Sequence, residues 1–319
     1  MVTKILIIKP SSLGDVVHAL PTVNLIRRKY PEARISWLIN DTLTSLLKRS
    51  PIIDELIPFE RRRLGGVRQL PRMRKFLRML RDKRFDIVVD LQGLLRSGII
   101  TWATHAPRRI GLSDAREGAR FFFNEIATVR PVHAVDRCLS AARHLGCGSE
   151  PIEFPLGVSP SIVTEGLIAV NASARWTTKL WGDDKFAELV RRLPAERVVL
   201  TGSAAERERI EAIAQGRRNV AGETDLFQLA ELYRRCAVVI TNDSGPMHLA
   251  AAVGTPVVAI FGPTDPALTG PYGQRHVVVR AGVACSPCFK DHCKNRVDME
   301  CMKTVTVDQV LRAVEGFLV

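Results

Sequence analysis

Lys4-Ile5-Leu6-Ile7-Ile8-Lys9-Pro10-Ser11-Ser12-Leu13-Gly14-Asp15-Val16-Val17-His18, near the start of a 319-residue chain, decides how the rest is read. Ile5–Ile8 is short and wholly apolar. Pro10–Asp15 is polar and carries a glycine, and from Val16 to Ile26 apolar residues recur at helical spacing. The order is strand, polar loop, helix.

The same unit recurs along the chain. Ile35–Ile39 reads as a strand, Glu55–Pro58 as a short one, Val67–Arg81 as a basic amphipathic helix, Asp86–Asp90 as a buried strand and Ala134–Leu145 as a helix. Gly, Pro and Ser then crowd residues 148–165. Beyond them Leu167–Val170, Val198–Thr201, Val238–Thr241 and Val257–Phe261 read as strands, separated by helices near Asp183–Leu193, Ala204–Gln215, Leu226–Arg235 and Pro246–Val253. Thr306–Leu318 reads as a terminal amphipathic helix. Alternation of this kind predicts an α/β protein of two doubly wound domains, 1–155 and 156–305, followed by the helix of 306–319. In such sheets ligands sit at the carboxyl ends of the strands.

Composition narrows the partners. With 46 Lys plus Arg against 33 Asp plus Glu the formal charge is +13, which favours an anionic partner: nucleic acid, an anionic membrane surface or a phosphorylated substrate. Nucleic acid is disfavoured, because aromatic residues are only 6% and neither a finger spacing nor an RNA-recognition signature is present. No apolar run reaches the roughly 18 residues of a membrane span. The first residues read as a strand and not as a signal peptide, so a cytoplasmic chain with mostly reduced cysteines is expected.

Three loops gather groups that could do chemistry. In the first, Asp15 stands where a strand feeds a helix, open to two readings: a helix cap, or an exposed carboxylate at the domain mouth. No G-x-G-x-x-G or Walker lysine accompanies it, which disfavours a dinucleotide or P-loop enzyme. The second, Asn171-Ala172-Ser173-Ala174-Arg175-Trp176-Thr177-Thr178-Lys179, collects hydroxyls and two cations suited to phosphate oxygens; a solvated lysine is the alternative. In the third, Thr241-Asn242-Asp243-Ser244-Gly245-Pro246-Met247-His248, a strand ends in a carboxylate and Pro opens a helix. That leaves the N–H groups of Ser244 and Gly245 to meet an anion. Asp243 could instead cap and His248 pack in the core. Phe261-Gly262-Pro263-Thr264-Asp265-Pro266 ends the next strand and completes the outline of a nucleotide-sized cleft. No D-x-D is present, so a bound diphosphate is expected to be met by Lys179, Arg175 and helix N-termini without magnesium. Cys285-x2-Cys288-x4-Cys293-x7-Cys301 begins with metal-ligand spacing but continues with a gap foreign to standard ribbons. A structural zinc, reduced thiols and an oxidised disulfide all stay open, and none is catalytic.

Lys9–Leu20 (KPSSLGDVVHAL), Val89–Ser97 (VDLQGLLRS), Thr241–Leu249 (TNDSGPMHL) and Phe261–Pro266 (FGPTDP), in this order, resemble the family 9 glycosyltransferases, the bacterial lipopolysaccharide heptosyltransferases. The resemblance runs from about residue 3 to the terminal helix. Ala115-Arg116-Glu117 and His133-Ala134-Val135-Asp136-Arg137 match the heptosyltransferase I type.

The resemblance implies a GT-B fold, two Rossmann-like domains facing across a cleft with the last helix returning to the first. It implies inverting transfer of L-glycero-D-manno-heptose from ADP-heptose to a Kdo sugar of Kdo-lipid A, with no metal or other cofactor. Asp15 would be the base. Lys179 would hold the donor phosphates, with Ser173, Thr177 and Thr178 beside it. Asp243 would meet the heptose hydroxyls, with Ser244, Gly245, His248, Gly262, Pro263 and Thr264 nearby. Ser11, Ser12, Gly14, Arg61, Arg62, Arg63, Arg116 and Arg137 would face the anionic acceptor, on a cytoplasmic chain lying at the inner face of the inner membrane. Alternatives are a heptosyltransferase II or III type with a heptose acceptor, and a non-catalytic nucleotide-sugar-binding module.

Overall fold

Ile5, Leu6, Ile7 and Ile8 have no exposed surface, because β1 (Lys4–Ile8) lies in the middle of a parallel sheet. The chain is described by a computed structural model covering residues 2–60, 69–130, 133–148, 150–158 and 166–318. It divides into two units, Met1–Gly157 and Val158–Val319.

In the first unit β1 is followed by α1 (Leu13–Lys29), β2 (Arg34–Asn40), α2 (Thr44–Leu47), β3 (Glu55–Phe59), α3 (Leu70–Asp82), β4 (Ile87–Asp90), α4 (Leu95–Ala103), β5 (Arg108–Leu112), β6 (Glu125–Ala127) and α5 (Ala134–His144). The strands pair in parallel in the order β3-β2-β1-β4-β5-β6. The order reverses between β1 and β4, which pair from Ile5↔Ile87 to Ile8↔Asp90. Such a reversal leaves a crevice at the strand ends, where β1 delivers Lys9 and β4 delivers Asp90.

Packing explains the apolar runs. α1 is buried along nearly its whole length from Gly14 to Ile26, since it lies against the neighbouring helix α5. On one face of the sheet Leu6, Ile8, Leu38, Ile57, Phe59 and Val88 form a core with Leu80 and Ile100, under Met73, Phe76 and Leu77 of α3. Each fully buried aliphatic side chain of this kind contributes about 1.5–3 kcal/mol.

The second unit repeats the plan with β7 (Leu167–Asn171), α6 (Asp183–Arg192), β8 (Val198–Leu200), α7 (Arg207–Ala214), β9 (Arg218–Asn219), α8 (Leu226–Arg234), β10 (Cys236–Asn242), α9 (Gly245–Ala252), β11 (Val257–Phe261), α10 (Pro266–Thr269), β12 (His276–Arg280), α11 (Glu300–Lys303) and α12 (Val307–Glu315). Its sheet order, β12-β11-β10-β7-β8-β9, places the reversal between β7 and β10. Asn171 and Asp243 emerge there. No helix among the described residues is long and apolar enough to cross a membrane.

The apolar face of α12 (Val307, Val310, Leu311, Val314) is buried in the core of the second unit. Asp308 on that helix pairs with Arg192 of α6 at 2.8 Å, and the preceding Val305 carbonyl accepts from Trp181 Nε1 at 3.0 Å.

Candidate active site

Asp15 occupies the third position of α1, and Ser12 is the N-cap. The backbone N–H and the hydroxyl of Ser12 each donate to Asp15 Oδ2 at 2.8 Å, so the carboxylate does half the work of a capping box. Its other oxygen faces Lys9 Nζ at 3.5 Å; the lysine side chain is 3% exposed and the aspartate 46%. Partial burial pushes the Asp15 carboxyl up. Lys9, the two Ser12 hydrogen bonds and His18 outweigh that and hold the pKa at about 2, below the ordinary 3.8. The cap and the exposed carboxylate are therefore one residue: helix-anchored, ionised and open to water.

Lys9 was not singled out from sequence. Its ammonium donates to the Leu91 carbonyl at 3.0 Å, which ties the loop after β1 to the turn after β4. Fully buried Asp90 shapes that turn by accepting from the N–H groups of Gln92 (2.8 Å) and Gly93 (2.9 Å). Desolvation raises the Asp90 pKa, against those hydrogen bonds and the Lys9 charge. Gly93 adopts φ +68°, and a Cβ there would stand 3.3 Å from Ala115 Cα and 3.8 Å from Arg137 Nη2. The glycine thus lets the segments around 93, 115 and 137 meet beside Asp15. A cavity of about 310 Å³ opens next to them, lined by Ser11, Asn40, Phe59, Gln92 and Arg96. Gln92 Oε1 is buried there with no hydrogen-bond partner. An isolated Gln offers no sequence signal for such a role.

In the second unit Lys179 Nζ lies 2.6 Å from Asp243 Oδ2, in a pair whose aspartate side chain is 4% exposed. Thr264 Oγ1 donates to the same carboxylate oxygen, and the lysine ammonium sits 4.8 Å from the Trp176 ring centroid. Asn242, also unmarked from sequence, staples the loops together: its Oδ1 accepts from Trp181 N at 3.2 Å and its Nδ2 donates to the Ala172 carbonyl at 2.9 Å. Ser244 stands at the N-cap position of α9, with Gly245 and Pro246 as the first helical residues, and its hydroxyl bonds Thr241 Oγ1 at 3.2 Å. Three separated sequence motifs thereby meet around one lysine.

The remaining expected residues divide. Gly262 and Pro263 are gripped from outside the pair: Ser286 Oγ donates to the Gly262 carbonyl, and the Cys288 and Phe289 N–H groups to that of Pro263 at 3.0 and 2.7 Å. The Thr178 hydroxyl is committed to the Lys290 carbonyl at 3.0 Å, whereas Thr177 is exposed. Ser173 N–H bonds Asn171 Oδ1 at 3.3 Å. His248 is buried within α9, Gly14 is buried in α1, and Arg137 grips Asp114, with Nη2 at 2.9 Å from Oδ1. Arg116 is exposed, and its N–H donates to the Gly93 carbonyl at 2.8 Å. Arg61, Arg62 and Arg63 lie outside the described residues.

The four cysteines of the C-terminal loop come together. Cys285, Cys288, Cys293 and Cys301 are free thiols around a cavity of about 200 Å³. Among the described residues no three His, Cys, Asp or Glu groups stand together as a ligand set. Burial, then the three neighbouring cysteines, raises the Cys301 pKa.

Each of the two doubly wound sheets carries charged groups at its reversal point, and residues 73–297 match glycosyltransferase family 9 (heptosyltransferase). The chain belongs to that family and is a glycosyltransferase. It is 31% identical to lipopolysaccharide heptosyltransferase 1 of Pseudomonas aeruginosa, over 91% of this chain and 87% of that protein. It is 32% identical to lipopolysaccharide heptosyltransferase 2 of Salmonella typhimurium, over 87% and 88%. The solved structure of E. coli ADP-heptose lps heptosyltransferase II is similar with a TM-score of 0.80 at 27% identity, covering 99% of this chain and 98% of that one.

Proposed function

We propose that this chain transfers L-glycero-D-manno-heptose, with inversion, from ADP-heptose to a Kdo residue of Kdo-lipid A, and that no metal takes part. The observation that carries the reading is the opposite polarity of the two strand-end sites. One presents an outward carboxylate, Asp15; the other presents a lysine, Lys179, against a buried carboxylate.

Glycosyl transfer needs both. An acceptor hydroxyl attacks the anomeric carbon of the heptose, and Asp15 takes its proton as the new C–O bond forms. The bond from the anomeric carbon to the phosphate oxygen breaks on the opposite side, and ADP leaves with the electron pair. Lys179 and the N–H groups opening α9 offset the charge gathering on the diphosphate. Lys179 is paired with Asp243. A donor phosphate that draws the ammonium toward itself frees the Asp243 carboxylate to accept from heptose hydroxyls. Ser173, Thr177, Ser244, His248 and Thr264 complete the donor side. Ser11, Gln92, Arg96 and the cavity beside them take the acceptor sugar, and the cations of Arg116 and the Arg61–Arg63 run meet its phosphates. Because that acceptor is a lipid, the chain is placed at the cytoplasmic face of the inner membrane.

A heptose-acceptor activity is the second reading, favoured by the 32% identity to a heptosyltransferase 2. A non-catalytic binding module is the third. One experiment separates them: ADP-heptose is supplied with Kdo-lipid A or with heptosyl-Kdo-lipid A, with and without EDTA. ADP release with Kdo-lipid A, unchanged by EDTA, is expected. Release only with the heptosylated acceptor moves the chain to the second reading, and donor binding without turnover moves it to the third.

A further inference from the structure

We infer that α4, the turn at Ala119–Phe122 and α3 form a surface that docks on an anionic lipid bilayer. The inference rests on the proposed lipid acceptor and extends it to a partner surface that borders the acceptor cavity at Arg96.

Leu95, Ile99 and Trp102 lie four and three residues apart on α4, the spacing of one helix face, and are 42%, 39% and 54% exposed. The opposite face is turned inward, with Ser97, Gly98, Ile100 and Thr101 buried. Gly98 brings a second element alongside, because a Cβ at that position would stand 2.9 Å from Phe122 Cδ2 and 3.0 Å from the Ala119 carbonyl oxygen. The turn that approaches so closely carries Phe121, which is 91% exposed.

A scattered exposed apolar residue needs no explanation. Here an aromatic and two aliphatic side chains share a stripe, and a second aromatic stands beside it in open solvent. The surroundings are mainly cationic, although Glu117 accepts from the Leu95 N–H at 3.2 Å. α3, in contact with α4, exposes Arg74, Lys75, Arg78 and Arg81 with Asp82 as its one acid, and Arg96 and Arg120 flank the stripe. None of these six bases makes an ion pair among the described residues. Apolar and aromatic tips ringed by unpaired Lys and Arg match the interface of an anionic bilayer, where the tips enter the acyl boundary and the cations meet phosphates. Charge complementarity thus favours lipid over an apolar protein face, which would leave the bases without counterions.

The test is co-sedimentation of the full chain with phosphatidylethanolamine/phosphatidylglycerol vesicles and with phosphatidylcholine vesicles. Binding to the anionic vesicles alone, weakened by salt, is expected. Trp102→Ser with Phe121→Ser should weaken it at least tenfold, and Arg74→Glu with Arg78→Glu should abolish the preference for anionic lipid. Both pairs should keep wild-type turnover on a deacylated, water-soluble acceptor. Failure of wild-type turnover in that assay would count against the proposed reaction and leave the vesicle result standing. Equal sedimentation of wild type and the Trp102/Phe121 variant overturns the inference. So does a wild-type dimer in solution that the same pair of substitutions dissociates.

Discussion

The two units share a strand order and differ in which charge they hide. At the reversal point of the first sheet the lysine is buried and the catalytic candidate is an exposed carboxylate. At the second, the carboxylate is buried and the lysine stands nearer solvent. Each fold brings a lysine from the loop after its first strand toward a carboxylate at the end of its fourth: Lys9 toward Asp90, Lys179 toward Asp243. The first unit then adds Asp15, on the helix. One backbone plan therefore presents an anion or a cation according to which partner is left facing water.

The largest effect expected from breaking this comparison is at Asp15. Asp15→Asn keeps the shape and loses the base, so kcat should fall by about 10²–10⁴, with ADP-heptose binding by calorimetry unchanged. Comparable turnover in the variant would remove Asp15 from the mechanism.

Lys179→Ala comes next. It should lower kcat/KM for the donor by about 10²–10³. It also strands the buried Asp243 carboxylate, at a cost of about 3–5 kcal/mol of stability in urea denaturation. Donor affinity that survives the substitution would show that the diphosphate is held elsewhere.

A smaller and more diagnostic change is Lys9→Met. The folded pKa of Asp15 is depressed from 3.8 to about 2, so its ionisation stabilises the fold above the ordinary value and that contribution is lost as pH falls toward 2. Without Lys9 the acid limb of the kcat/KM profile should move to higher pH, along with the acid loss of stability. An unmoved limb would mean that Ser12 and His18 set the carboxylate without Lys9.

Least of all, Gly93→Ala should cost about 1–2 kcal/mol by forcing a side chain into the left-handed region. Its effect should fall on stability, with the second unit's donor binding untouched.

Much of this was legible in advance, for identifiable reasons. Ile5–Ile8 and Val257–Phe261 are central strands covered on both faces, so they read as unbroken apolar runs. β5 and β6 went unread: Arg108–Leu112 opens with two arginines, and Glu125–Ala127 is a three-residue edge. β12 also escaped, since His276–Arg280 alternates exposed and half-buried positions. In the site, Asp15, Lys179 and Asp243 stood out because each follows a strand within a polar loop. Asn242, Gln92 and Lys9 did not, because their roles depend on partners 61, 70 or 82 positions away or on burial alone.

By itself, then, the sequence determined two α/β units, the loops that bear the chemistry, and the family, since apolar periodicity and local motifs are properties of neighbouring residues. Only the tertiary structure decided that Asp15 is both cap and open carboxylate, that Lys179 rests on Asp243, and that the last helix packs into the core of the second unit. Those outcomes depend on which distant groups share a buried space, and on the energy of leaving a charge there unpaired.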